Sequence, residues 1–84
     1  MKTVLCVPGH DEQKVQRCRE YGADLILFDL EDSVPEGMKD RAREVVAAHV
    51  QPDDHVRVNS DPRWYFEDVD VVDRWNINRV WVPK

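Results

Sequence analysis

LILFDLEDSVP, residues 25 to 35, is the stretch whose reading decides the fold. Its first six residues form a nearly continuous apolar run, broken only by Asp29, of the kind found in strands covered on both faces of a parallel sheet. The run then gives way to acids and a proline, so polar chemistry collects where the strand ends. Three other stretches repeat this design. TVLCV at 3 to 7 runs into Pro8, Gly9 and His10, VRVN at 56 to 59 closes the segment HVRVN, and RVWVPK at 79 to 84 ends in Lys84. Proline lacks an amide donor and glycine tolerates turns, so Pro8 and Gly9 stop the first strand.

The segments between these runs read as helices. Residues 11 to 21 place Asp11 and Glu12 in a first turn and basic residues later, as the helix dipole favours, with Val15 and Cys18 as a thin apolar stripe and Gly22 as the stop. Met38, Ala42, Val45 and His49 share one face of a helix over about 38 to 50. Tyr65, Val69 and Val72 do the same near 63 to 75. The order β-α-β-α-β-α-β, with connections long enough for crossover helices, predicts a parallel sheet with right-handed crossovers. Four such units suit a small open α/β sheet or the first half of an eight-stranded barrel, and closure would remove two exposed strand edges. In both, ligands gather at the C-terminal sheet edge, here Pro8 to His10, Asp29 to Asp32, Arg57 to Asn59, and Lys84.

Composition narrows the partners. The chain has 84 residues, room for one core, with 12 Lys and Arg against 17 Asp and Glu and a net charge of -5. No basic run tracks a phosphate backbone, so nucleic acid is not an expected partner. No apolar stretch reaches the roughly 20 residues of a membrane span, and MKTVLCVPGH lacks the apolar core of a secretion signal. A soluble, cytoplasmic protein is expected. Cys6 and Cys18 form no CxxC pair and are expected to be reduced thiols; His10, His49 and His55 lack zinc-ligand spacing.

Chemistry centres on DLED at 29 to 32. Side chains alternate along a strand, which predicts Asp29 and Glu31 on one face and Leu30 and Asp32 on the other. Two acids on one poorly solvated face need a cation: a metal, an arginine or a substrate group. Arg57 on the neighbouring strand is the nearest candidate, and its planar fork suits a carboxylate. The bland alternatives are that the acids cap the following loop and that Arg57 only neutralises them. Lys14, Arg17, Lys39 and Arg43 lie on helices, where such charges steer an anion or simply form a solvated face. Trp64, Trp75 and Trp81 read as packing.

The pieces VLCVPGHDEQK, GADLILFDLEDSVPEGMKDRAR, VRVN and VWVPK, in this order and at these separations, resemble the HpcH/HpaI aldolase and citrate lyase β-subunit family along the whole chain. DLEDSVP followed by Lys39, Ala42 and Arg43 is the strongest element. The resemblance implies one partial (β/α)8 TIM-barrel domain over residues 1 to 84. It also implies a cytoplasmic, homo-oligomeric, Mg2+-dependent carbon-carbon lyase acting on acyl-CoA thioesters of the citryl or malyl type, or on oxo acids. By position, Arg57 looks like the arginine holding the oxo acid carboxylate, and Asp29, Glu31 and Asp32 like the acidic cluster supporting the metal site. Gly9 would line the pocket floor, and Arg17, Lys14 and Lys39 would flank the entry of the coenzyme A or substrate anion. The direct Mg2+ ligands are expected on strands beyond Lys84. A catalytically silent, subunit-associating chain is one alternative. Another is a receiver domain with Asp29 as phosphoacceptor, against which the first strand ends in Pro8, Gly9 and His10 in place of an acidic pair.

Overall fold

A computed structural model describes residues 2–77 and 79–83. The strand end predicted at Lys84 lies outside the described residues. Strand β1 (Val4–Pro8) is followed by helix α1 (Glu12–Arg17) and a 3-10 turn (Cys18–Tyr21), then β2 (Leu25–Asp29). A second 3-10 turn (Glu36–Met38) leads into α2 (Lys39–His49), followed by β3 (His55–Arg57), α3 (Pro62–Arg74) and β4 (Arg79–Trp81).

All three strand pairings are parallel, and the sheet order is β1-β2-β3-β4. Every crossover therefore advances one place in the same direction. A doubly wound sheet reverses direction at a switch point, whereas a (β/α) barrel does not. The topology is the barrel's. Right-handed crossovers of constant direction put the helices on one face, and alternation sorts the strand residues accordingly. Ile26, Phe28 and Val56 point into the core with Val15, Ala42, Val46 and Val72. Leu27 and Asp29, also buried, alternate to the opposite face.

Local chemistry sets the element ends. Asp11 caps α1 by accepting the Lys14 amide at 3.1 Å, and Gly22 takes the left-handed conformation (φ 68°) that ends the following turn. The predicted single helix over 11 to 21 is instead α1 and a 3-10 turn, consistent with its thin stripe. Asp61 caps α3, with Pro62 in the first turn. The buried face of α3 differs from the predicted one: Val69 is exposed, and Asp68 is buried between Tyr65 and Val72. On α2, Lys39 and Arg43 are buried, so these two are not the solvated helix charges that their positions suggested. No helix among the described residues is long and apolar enough to cross a membrane.

Candidate active site at the strand exits

The sheet register carries two rows across the face opposite the helices: Cys6, Leu27, His55 and Arg79, and above them Pro8, Asp29, Arg57 and Trp81. The upper row lies at the C-terminal ends of the strands. Asp29 is its centre and is fully buried. Arg57 donates to it through a two-pronged contact, Nε to Oδ1 and Nη2 to Oδ2, both at 2.9 Å. The Glu31 amide donates to Oδ1 at 2.9 Å, while the Ser33 amide and hydroxyl donate to Oδ2 at 2.9 and 2.6 Å. Five donors thus occupy one carboxylate, which offers about four lone-pair directions.

This saturation explains the charge state. Burial alone would push the Asp29 carboxyl up, but the bonds from Arg57, Ser33 and Glu31 outweigh it and hold the group well below the usual carboxylate range. The Asp29 hydrogen bond is the chief reason that the Arg57 guanidinium is raised further. Both stay charged at neutral pH. Arg57 is 28% exposed along its side chain, and its Nη1 group has no hydrogen-bond partner among the described residues. One edge of the fork is committed to Asp29. The other remains available to a carboxylate.

Glu31 does not continue the strand. The chain turns back after Asp29 so that the amide of residue 31 meets the aspartate of residue 29, a local side-chain-to-backbone closure typical of aspartate. The predicted alternation therefore ends at Asp29. The Glu31 carboxylate nevertheless stands 3.9 Å from Arg57 Nε, and Asp32 is exposed at the rim. Gly9 is buried, with its amide on the Asp29 carbonyl at 2.8 Å; a Cβ there would lie 2.8 Å from that same oxygen. Close backbone approach is what requires glycine at this position. Lys14 and Arg17 are solvent-exposed and pair with Asp11 and Glu20. Neither is a hydrogen-bond or ion-pair partner of Asp29 or Arg57, although Lys14 lines a cavity with Cys6 and Pro8.

The HpcH/HpaI aldolase/citrate lyase family model matches residues 2–84. The chain belongs to this family. It is 34% identical over 90 residues to citrate lyase subunit beta of Leuconostoc mesenteroides subsp. cremoris, covering 99% of this chain and 30% of that protein. It is 31% identical to a (3S)-malyl-CoA thioesterase of Cereibacter sphaeroides, covering 99% and 32% respectively. The fold matches the crystal structure of protein CitE from Mycobacterium tuberculosis in complex with magnesium, acetoacetate and coenzyme A. That match has a TM-score of 0.81 at 24% identity and covers 99% of this chain and 32% of CitE. The chain thus spans under a third of the length of these relatives, and its four strands match part of a TIM-barrel-like fold.

Within this family member, the described residues bring no three His, Cys, Asp or Glu side chains together as a metal cage. Asp29 has no lone pair to spare, which leaves Glu31 and Asp32 as the acids that could approach a cation. Lys39 is turned inward: Nζ donates to the carbonyls of Leu30 at 3.2 Å and Glu31 at 2.7 Å and lies 5.2 Å from the centre of the Trp64 ring. Burial lowers its pKa, with the nearby acids opposing.

The residue that sequence reasoning missed is Asp68. It is fully buried, accepting Arg43 Nε at 2.7 Å and both the Asn59 amide at 2.8 Å and Nδ2 at 2.6 Å. A signal existed, since Asp68 is three residues after Tyr65 and four before Val72, on the stripe that faces the core. A buried acid also disqualifies the receiver reading, because Asp29 is enclosed by five donors and presents no free oxygen to a phosphodonor.

Proposed function

We propose that this chain supplies the carboxylate-anchoring part of a Mg2+-dependent carbon-carbon lyase of the aldolase type, acting on citryl-CoA- or malyl-CoA-like thioesters or on oxo acids. The observation that carries this is the Arg57 fork, locked on one edge by buried Asp29 and open on the other at the C-terminal end of the sheet. An arginine held this way binds a substrate carboxylate in a fixed plane, and positioning the second carboxylate orients the bond that breaks. Family membership and the substrates named for the relatives support the reaction class.

Cleavage beside a thioester or ketone carbonyl leaves an enolate, and a divalent metal supplies charge stabilisation for it when bound. Glu31 and Asp32 are the acids of this chain nearest that role, with Asp29 acting through Arg57. Gly9 contributes the floor beneath Asp29. Lys14 and Arg17 remain candidates for attracting a coenzyme A anion at the rim. Free Cys6 and Cys18 suit a reducing cytoplasm.

The test is turnover of a panel of β-hydroxyacyl-CoA thioesters with Mg2+, following acetyl-CoA and the oxo acid as products. Arg57→Ala should lower kcat/KM at least a hundredfold, as expected when a charge-assisted contact worth about 3 kcal/mol is lost. An unchanged kcat/KM would refute the anchor. Similarity to a thioesterase favours one second reading, hydrolysis of the thioester. Free coenzyme A without an oxo acid product would mark it.

A further inference from the structure

The peptide unit joining Leu30 to Glu31 links two sets of contacts. Its N–H, on Glu31, donates to Asp29 Oδ1, the oxygen that also receives Arg57 Nε. Its C=O, on Leu30, accepts from Lys39 Nζ at 3.2 Å and from Asn59 Nδ2 at 2.8 Å. A peptide unit is planar and stiff, so the orientation of its carbonyl dictates that of its amide hydrogen. Asn59 is itself held by Asp68 through its backbone amide and its side-chain Nδ2, and Asp68 is held by Arg43. Lys39 also grips the Glu31 carbonyl, which the Val34 amide reaches at 3.2 Å.

We infer that Lys39 and the Asn59–Asp68 pair are positioning residues for the Asp29–Arg57 anchor, acting through the Leu30–Glu31 peptide plane. The inference deepens the reading of Arg57 as carboxylate anchor and rests on it. Lys39, far from meeting the substrate anion, spends its ammonium on two carbonyls. If the plane tips, the Glu31 amide leaves Oδ1, the Asp29 carboxylate rotates, and the guanidinium follows it. Two properties mark this as orientation beyond bulk stability. Lys39 is a buried cation with no carboxylate in hydrogen-bond contact, and both carbonyls that it serves have a second donor, so its removal leaves neither unpaired. An apolar isostere would therefore cost little stability while removing one of the two donors that fix the Leu30 carbonyl, which loosens the plane.

The experiment compares wild type with Lys39→Met, Lys39→Arg and Asn59→Ala. Three readouts are taken: the urea midpoint, the 15N–1H resonances of the Glu31 amide and Arg57 Nε, and the affinity for pyruvate with Mg2+ present. Lys39→Met should keep a near-wild-type midpoint, shift both resonances, and weaken pyruvate binding by about tenfold, the usual scale for loss of an orienting contact. Lys39→Arg should return the resonances toward wild type. Asn59→Ala should shift the same two resonances, at a greater loss of stability. A folded Lys39→Met with both resonances unmoved would overturn the inference. Should a variant not fold, wild type decides: Glu31 amide exchange as slow as that of the core strands supports the clamp, and exchange at loop rates overturns it. Absence of pyruvate binding in wild type, with resonances responding as described, would sink the anchor's substrate role and leave the clamp standing.

Discussion

Replacing Asp29 by Asn tests the centre of the site with almost no change of shape. The carboxylate accepts five hydrogen bonds, two at Oδ1 and three at Oδ2. An asparagine keeps one accepting oxygen. If that oxygen stays with the three donors, the new NH2 faces the Glu31 amide and Arg57 Nε, each formerly 2.9 Å from an acceptor. Loss of one charge-assisted bond and one amide bond costs about 2.5–4 kcal/mol. Breaking a buried ion pair costs about 3–5 kcal/mol by mutational precedent. Because Arg57 is 28% exposed and can regain water, we expect the low end, about 3 kcal/mol. For a domain of this size that lowers Tm by roughly 12–24 °C. The folded-state pKa of Asp29 is depressed, so its stabilisation is complete above the unfolded carboxylate value of about 4 and fades as pH falls through the folded one. Thermal and urea unfolding by circular dichroism should therefore show the widest gap between wild type and Asp29→Asn above about pH 5, narrowing below about pH 4. A gap under about 0.5 kcal/mol, the level of an exposed pair, or one constant from neutral to acid pH, would refute the buried pair.

Gly9→Ala would place a Cβ 2.8 Å from the Asp29 carbonyl oxygen and 3.0 Å from Val46 Cγ2. Overpacking against backbone should cost about 1–3 kcal/mol in urea unfolding, and a wild-type midpoint would contradict the close approach. Lys14→Ala and Arg17→Ala, both on exposed ion pairs, should leave stability within about 0.5 kcal/mol. Any effect of theirs on kcat/KM should shrink with added salt, as steering does; a salt-independent loss would instead indicate direct contact. Burial first, and then the Asp29 charge, pushes the Cys6 thiol up, with Arg57 opposing. Alkylation of Cys6 by iodoacetamide should thus be slower than for a free cysteine and should accelerate in Asp29→Asn, because removing the negative charge favours the thiolate; equal rates in both proteins would show the two groups uncoupled.

Which parts of this arrangement are visible in a one-dimensional string follows from the range of the interactions. LILFD announces a strand because both faces of a parallel sheet demand apolar residues at successive positions, a local requirement. Gly22 announces a helix end for an equally local reason. Alternation failed beyond Asp29 because an aspartate closing on the amide two residues ahead competes with strand continuation, and the competition is settled by Arg57, 28 positions away. Arg43 and Asp68 are 25 positions apart, and each looks like an ordinary solvated charge until the two helices pack. A charged residue type suggests exposure, yet Asp68 occupies the core-facing turn of its helix between Tyr65 and Val72. The weightier inference from such a position is that a carboxylate on an apolar stripe must find donors, since an unpaired buried charge costs several kcal/mol. Here the donors are Arg43 and Asn59, and through Asn59 the requirement reaches the Leu30 carbonyl and the anchor itself. The same physics that hid Asp68 from a pattern of apolar spacing ties it to the chemistry at the strand exits.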